Sequence, residues 1–137
     1  MLDVAGNLLA LPIKLLDLVR GVKTLQREGA DRISDLFRHI SDALAAAAAE
    51  IRDGRVPHGV CGQLMAFAAE LFETTKGVLG EDKARELADQ LWANYNIESF
   101  AMRLDSADAA GRETAAQQLE ESSGRFLALG HMIRAKA

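Results

Sequence analysis

Apolar residues recur at three- and four-residue spacing along most of this chain, and that periodicity predicts helices. The clearest stripe is Ile33, Leu36, Phe37, Ile40, Leu44, Ala47, Ala48 and Ile51, which predicts a helix over about 31–52. Asp31 stands where a carboxylate N-cap accepts first-turn amides, and Asp53-Gly54 supplies the stop, with Gly54 suited to a left-handed C′ position. Leu64, Met65, Ala68, Leu71 and Phe72 predict a helix that starts at 61–63 and ends near 78. A further helix is expected over 81–95, with Ala84, Leu87, Ala88, Leu91, Trp92 and Tyr95 inward and Glu81 and Asp82 suiting the dipole of its first turn. Residues 97–104 predict a short helix or turn. The last helix spans about 107–134 on a weaker stripe of Ala115, Leu119, Phe126, Leu127 and Ile133. Gly111, Gly124 and Gly130 lie within it at about 1 kcal/mol each, so a break is expected near Ser122-Ser123-Gly124.

Residues 1–27 form a unit apart from the bundle expected over 28–137. Their apolar positions include Leu8, Leu9, Leu11, Ile13, Leu15, Leu16 and Val19, a surface wider than one face of a bundle helix needs. Pro12 either begins this helix or kinks it. Excess apolar surface calls for a cover. The seven residues named are therefore the candidate interaction surface, for an identical subunit, a different protein, or a lipid interface. Membrane contact ranks below a protein partner, because the stretch carries no Trp, Tyr or Phe anchor.

Two prolines in 137 residues, plentiful Ala and Leu, and no alternating β-branched runs place the chain in the all-α class, as a single-domain bundle of five or six helices. A net charge of −4 with scattered Lys and Arg argues against nucleic acid as a partner, since phosphate neutralisation needs a concentrated basic face. No stretch reaches the roughly 18–20 apolar residues that span a bilayer, and residues 1–26 lack the basic start and cleavage site of a signal peptide. With one cysteine there is no disulfide framework, so the expected setting is the cytoplasm.

Candidate chemistry concentrates at 55–63, which holds Pro57, His58, Gly59, Cys61 and Gly62. One reading is a structured helix junction, with Cys61 as a small buried hydrophobe. The other is a thiol sensor or small enzyme, because a thiol at a helix N-terminus near an imidazolium has a lowered pKa. Against the second, no orienting third group or oxyanion site announces itself. As a zinc site the pair offers two ligands where three or four are needed, so no metal and no cofactor is expected. No carboxylate pair carries a Glu-x-x-His companion, and no phosphate loop or nucleophile elbow occurs.

Arg32-Ile33-Ser34-Asp35, the hinge Val56-Pro57-His58-Gly59-x-Cys61-Gly62, Gly77-x-x-Gly80-x-x-Lys83-Ala84 and Ser123-Gly124-x-Phe126 together resemble a family of small bacterial helical proteins. The resemblance covers 32–126, about two thirds of the chain, and leaves residues 1–27 outside it. It implies a partner-binding role near signalling or conflict-type effectors and no catalysis. The expectation is thus a non-enzymatic interaction or adaptor module that self-associates through its N-terminal helix. A Cys61/His58 thiol site and a peripheral membrane contact are the alternatives.

Overall fold

The computed structural model describes residues 10–23, 25–94 and 102–137. They form an all-α bundle, with no strand among the described residues. The helices are α1 (Ala10–Gly21), α2 (Arg27–Arg52), α3 (His58–Leu79), α4 (Glu81–Asn94) and α5 (Ala109–Ala135), and residues 102–105 add one helical turn before α5.

The bundle is organised on α2 and α5, which run antiparallel and make the most extensive helix pairing. All eight apolar positions of the α2 stripe are buried. At the centre of the pairing the Phe37 and Phe126 rings meet edge to face, 5.8 Å between centroids. Towards one end Arg52 pairs with Glu113 at 3.1 Å and also with Glu120. Towards the other, Arg134 pairs with Asp31 at 3.5 Å and Asp35 at 3.2 Å. Within Ala45–Ala49, Ala47 and Ala48 are buried and Ala45, Ala46 and Ala49 are exposed, so the alanine run follows the helix period.

Several expectations are corrected. Helix one ends at Gly21, and Arg27 opens α2. The reason lies in the link, where Leu25 N–H donates to the Lys136 carbonyl at 3.1 Å and Lys136 Nζ donates to the Val22 carbonyl at 2.6 Å. The end of α5 therefore holds Val22 and Leu25 outside the two helices. Asp31 lies inside α2 and serves the pair with Arg134, while Gln26 is the N-cap and makes no side-chain cap bond. Helix α3 begins at His58, earlier than expected. Helix α5 runs through Ser122-Ser123-Gly124 without a break, because Ser123 is tied to Ser41 of α2. Trp92 and Leu127, expected inward, are 48% and 44% exposed. Tyr95 and most of the predicted 97–104 element lie outside the described residues.

Two of the helix ends turn on a glycine with positive φ. At the end of α2, Gly54 has φ +80°, Arg55 N–H donates to the Glu50 carbonyl and Gly54 N–H to the Ile51 carbonyl, which is a Schellman closure. At the end of α3, Gly80 alone joins α3 to α4, with φ +91° and ψ 154°, a region open only to glycine.

Candidate functional site

Helix α1 packs against α5 and α4, and its burial follows one side of the helix. Leu11, Leu15 and Val19 are at most 2% exposed and belong to the same core cluster as α2 and α5. Expected as an interaction surface, these three are instead internal: the bundle itself is the cover that the apolar excess required. Pro12 lies within α1 and is buried. Leu8 and Leu9 lie outside the described residues.

What remains of the interaction surface is narrower. Ile13 is 47% exposed and Leu16 is half-buried. Beside them a cleft of about 130 Å³ opens between α1 and α5, lined by Pro12, Leu16, Ala128, Leu129 and Met132, with Arg125 at its edge. On a helix, Ile13 and Leu16 are neighbours three residues apart, so the exposed side chain stands next to the cleft.

At the hinge, Pro57 is the centre of an inverse γ-turn, with φ −81° and ψ 65° and the His58 N–H donating to the Val56 carbonyl at 2.9 Å. Pro57 is also the N-cap of α3, and its carbonyl accepts the first helical bond from Cys61 N–H at 2.9 Å. Gly59 and Gly62 are ordinary helical residues in the turns that follow. Gly54 thus ends α2, and Pro57 turns the chain into α3.

Cys61 is buried and His58 is exposed. Burial pushes the Cys61 thiol up to about 11, and the Glu50 carboxylate adds to that, while Arg103 opposes it. The shift is therefore opposite to the lowering expected from a helix N-terminus and an imidazolium: desolvation is its largest cause, and His58 is exposed. A thiol held neutral in this way is a poor nucleophile near neutral pH.

The histidines stand apart in their surroundings. His39 stacks on Phe67, with centroids 6.3 Å apart. His131 lines a small cleft with Ser34, Asp35 and Arg38. Among the described residues, no group of three or more His, Cys, Asp or Glu is placed to hold a metal ion. No helix among them is long and apolar enough to cross a membrane.

Two features escape a reading of the sequence. Trp92 stands exposed at a cleft of about 260 Å³ with Phe72, and the Arg85 guanidinium lies 4.8 Å from the Phe72 ring centroid. A groove of about 880 Å³ lies where the α1–α2 link meets the α3–α4 corner. Its basic residues are spread from 23 to 83, so no local motif marks them. No family model, curated protein or solved structure matches this chain.

Proposed function

We propose that the protein is a non-enzymatic interaction module that self-associates through the face formed by α1 and the second half of α5. The observation that carries this reading is the pairing of an exposed apolar side chain, Ile13, with an adjoining apolar cleft formed by Pro12, Leu16, Ala128, Leu129 and Met132. A two-fold contact needs one patch that offers both a projection and a recess, because each copy must give what the other receives. In such a dimer the Ile13 side chain of each copy enters the cleft of the other. Burying it in the partner removes apolar surface from water, worth about 1.5–3 kcal/mol for a whole side chain.

Light-scattering mass across a concentration series tests this reading: the native chain is expected to move from monomer towards dimer as concentration rises, and Met132→Glu to remain a monomer. A native chain that stays monomeric throughout overturns the reading.

A further inference from the structure

The groove of about 880 Å³ lies on the other flank of α1, away from the Ile13 cleft, and its chemistry differs. Its apolar part consists of Leu18, Val22, Leu25, Val78 and Leu79, all half-buried. Four cationic side chains line it: Lys23 from the link, Arg32 from α2, Lys76 from the end of α3 and Lys83 from the first turn of α4. The acidic residues in the lining are Asp17 and Glu73, and Glu73 is engaged by Lys76 at 2.8 Å. Among the described residues, no ion pair engages Lys23, Arg32 or Lys83. Three cations with no ion pair among the described residues thus line one concave surface, with Asp17 as the one acidic lining residue besides Glu73, in a protein whose net charge is −4. A concave wall of one sign focuses the field and raises the local concentration of the opposite charge.

Glycine supplies a second, independent observation. Gly21, Gly29 and Gly77 all line the groove, and a Cβ added at any of them meets no atom within 4 Å. Gly29 and Gly77 lie inside α2 and α3, where glycine costs about 1 kcal/mol relative to alanine. Neither has a positive φ or a close neighbour that would require glycine. Their common effect is to keep the groove open and its backbone approachable. The wall is also held in place: the link that carries Val22, Lys23 and Leu25 is pinned by the carbonyl and side chain of Lys136. Gln26 gives the nearby start of α2 no side-chain cap, and the positive end of that helix's dipole favours an anion there.

From this arrangement we infer a binding site for a small amphiphilic anion, an apolar body bearing a phosphate or similar oxyanion. The apolar part seats on Leu18, Val22, Val78 and Leu79, and the anion lies among Lys23, Arg32 and Lys83. Ligand sites typically have cavities of roughly this size, and here the lining divides between apolar and polar groups, as an amphiphilic ligand requires.

Isothermal titration calorimetry with octyl phosphate below its micelle concentration tests the site. Saturable one-to-one binding is expected, with octyl glucoside and inorganic phosphate each weaker by at least about tenfold, since each lacks one half of the recognition. Lys23→Glu/Lys83→Glu is expected to weaken octyl phosphate by about tenfold or more. Gly77→Leu, which fills the groove without changing charge, is expected to do the same, with circular dichroism verifying both folds. Arg55→Glu, at the opposite end of α2, should leave binding unchanged. Absence of saturable binding overturns the site, as does equal binding of octyl glucoside or inorganic phosphate, or equal loss in Arg55→Glu. Co-sedimentation with phosphatidylglycerol vesicles, lost in the double variant, would assign the anion to a lipid headgroup. No sedimentation alongside octyl phosphate binding would assign it to a soluble molecule.

Discussion

Ser41 of α2 and Ser123 of α5 each donate a hydroxyl hydrogen bond to the other's backbone carbonyl, at 2.8 Å in both directions, with their Oγ atoms 2.9 Å apart. Each hydroxyl has one proton, so two protons serve three short contacts. The pair holds α2 and α5 together at a point where both present small residues, and it is satisfied within itself. Ser41→Ala and Ser123→Ala are each expected to cost about 1 kcal/mol in urea unfolding. The double variant should cost less than the sum, by about 0.5 kcal/mol or more, because each change also removes the contact between the two hydroxyls. Strict additivity would show that the two bonds act independently.

Glycines in α5 make opposite predictions. At Gly124 a Cβ meets nothing within 4 Å, so Gly124→Ala should stabilise by about 1 kcal/mol, roughly 3–4 °C in Tm. At Gly130 the same Cβ would stand 3.3 Å from Ser34 Oγ and 3.4 Å from the Ser34 carbonyl oxygen. The propensity gain is offset there, so Gly130→Ala should not raise Tm, and Gly130→Leu should destabilise by about 2 kcal/mol or more. Gly80→Ala, at φ +91°, should destabilise by about 1–3 kcal/mol through backbone strain alone.

Because burial holds the Cys61 thiol neutral up to about 11, its contribution to stability has a definite sign. The unfolded thiol loses its proton near 9.0 while the folded one keeps it, so the unfolded state binds fewer protons between these values. Stability conferred by Cys61 is therefore complete below about 9 and declines as pH rises towards 11. Denaturant midpoints for the native chain and Cys61→Ala should converge or cross over that alkaline window. Iodoacetamide should label the native protein at pH 8 far more slowly than the urea-unfolded chain. Equal rates would contradict a buried, protonated thiol.

Arg52 closes the opposite end of the α2–α5 pair through Glu113 and Glu120. Hydrogen bonds from its guanidinium hold the Glu113 carboxyl below the usual carboxylate range. A depressed carboxyl contributes stability above its unfolded pKa and loses it as pH falls through the folded value. Acidification should therefore destabilise the native chain more steeply than Arg52→Gln. The difference should be small in high salt, since the three side chains are exposed to solvent screening.

The α2 stripe was legible because large aliphatic residues repeat with the helical period and all of them point to one core. The α5 face was harder to read. Part of its buried surface is Ala115, Ala116, Ser122 and Gly130, residues whose burial reflects close approach to neighbouring helices and leaves little hydrophobic signal. The same holds at Ser122-Ser123-Gly124, where local propensity favours a break and the tertiary bond to Ser41 prevents it. At the hinge, residue identity located the reversal correctly. The direction of the Cys61 shift depended on how deeply α3 buries it, which spacing does not encode. Helix α1 misled for a related reason: a helix gripped from α4 and α5 resembles one awaiting a partner.

Deleting residues 1–27 would strip Leu11, Leu15 and Val19 from the core, so loss of assembly in that truncation would report unfolding as readily as a lost interface. A surface substitution avoids the confusion. Sedimentation velocity on Ile13→Glu, beside the native chain and a Leu127→Glu control, is the most direct measurement. The account predicts that the native chain and Leu127→Glu form the same dimer and that Ile13→Glu sediments as a folded monomer. A monomeric native chain, or an Ile13→Glu variant that dimerises like it, would contradict the account.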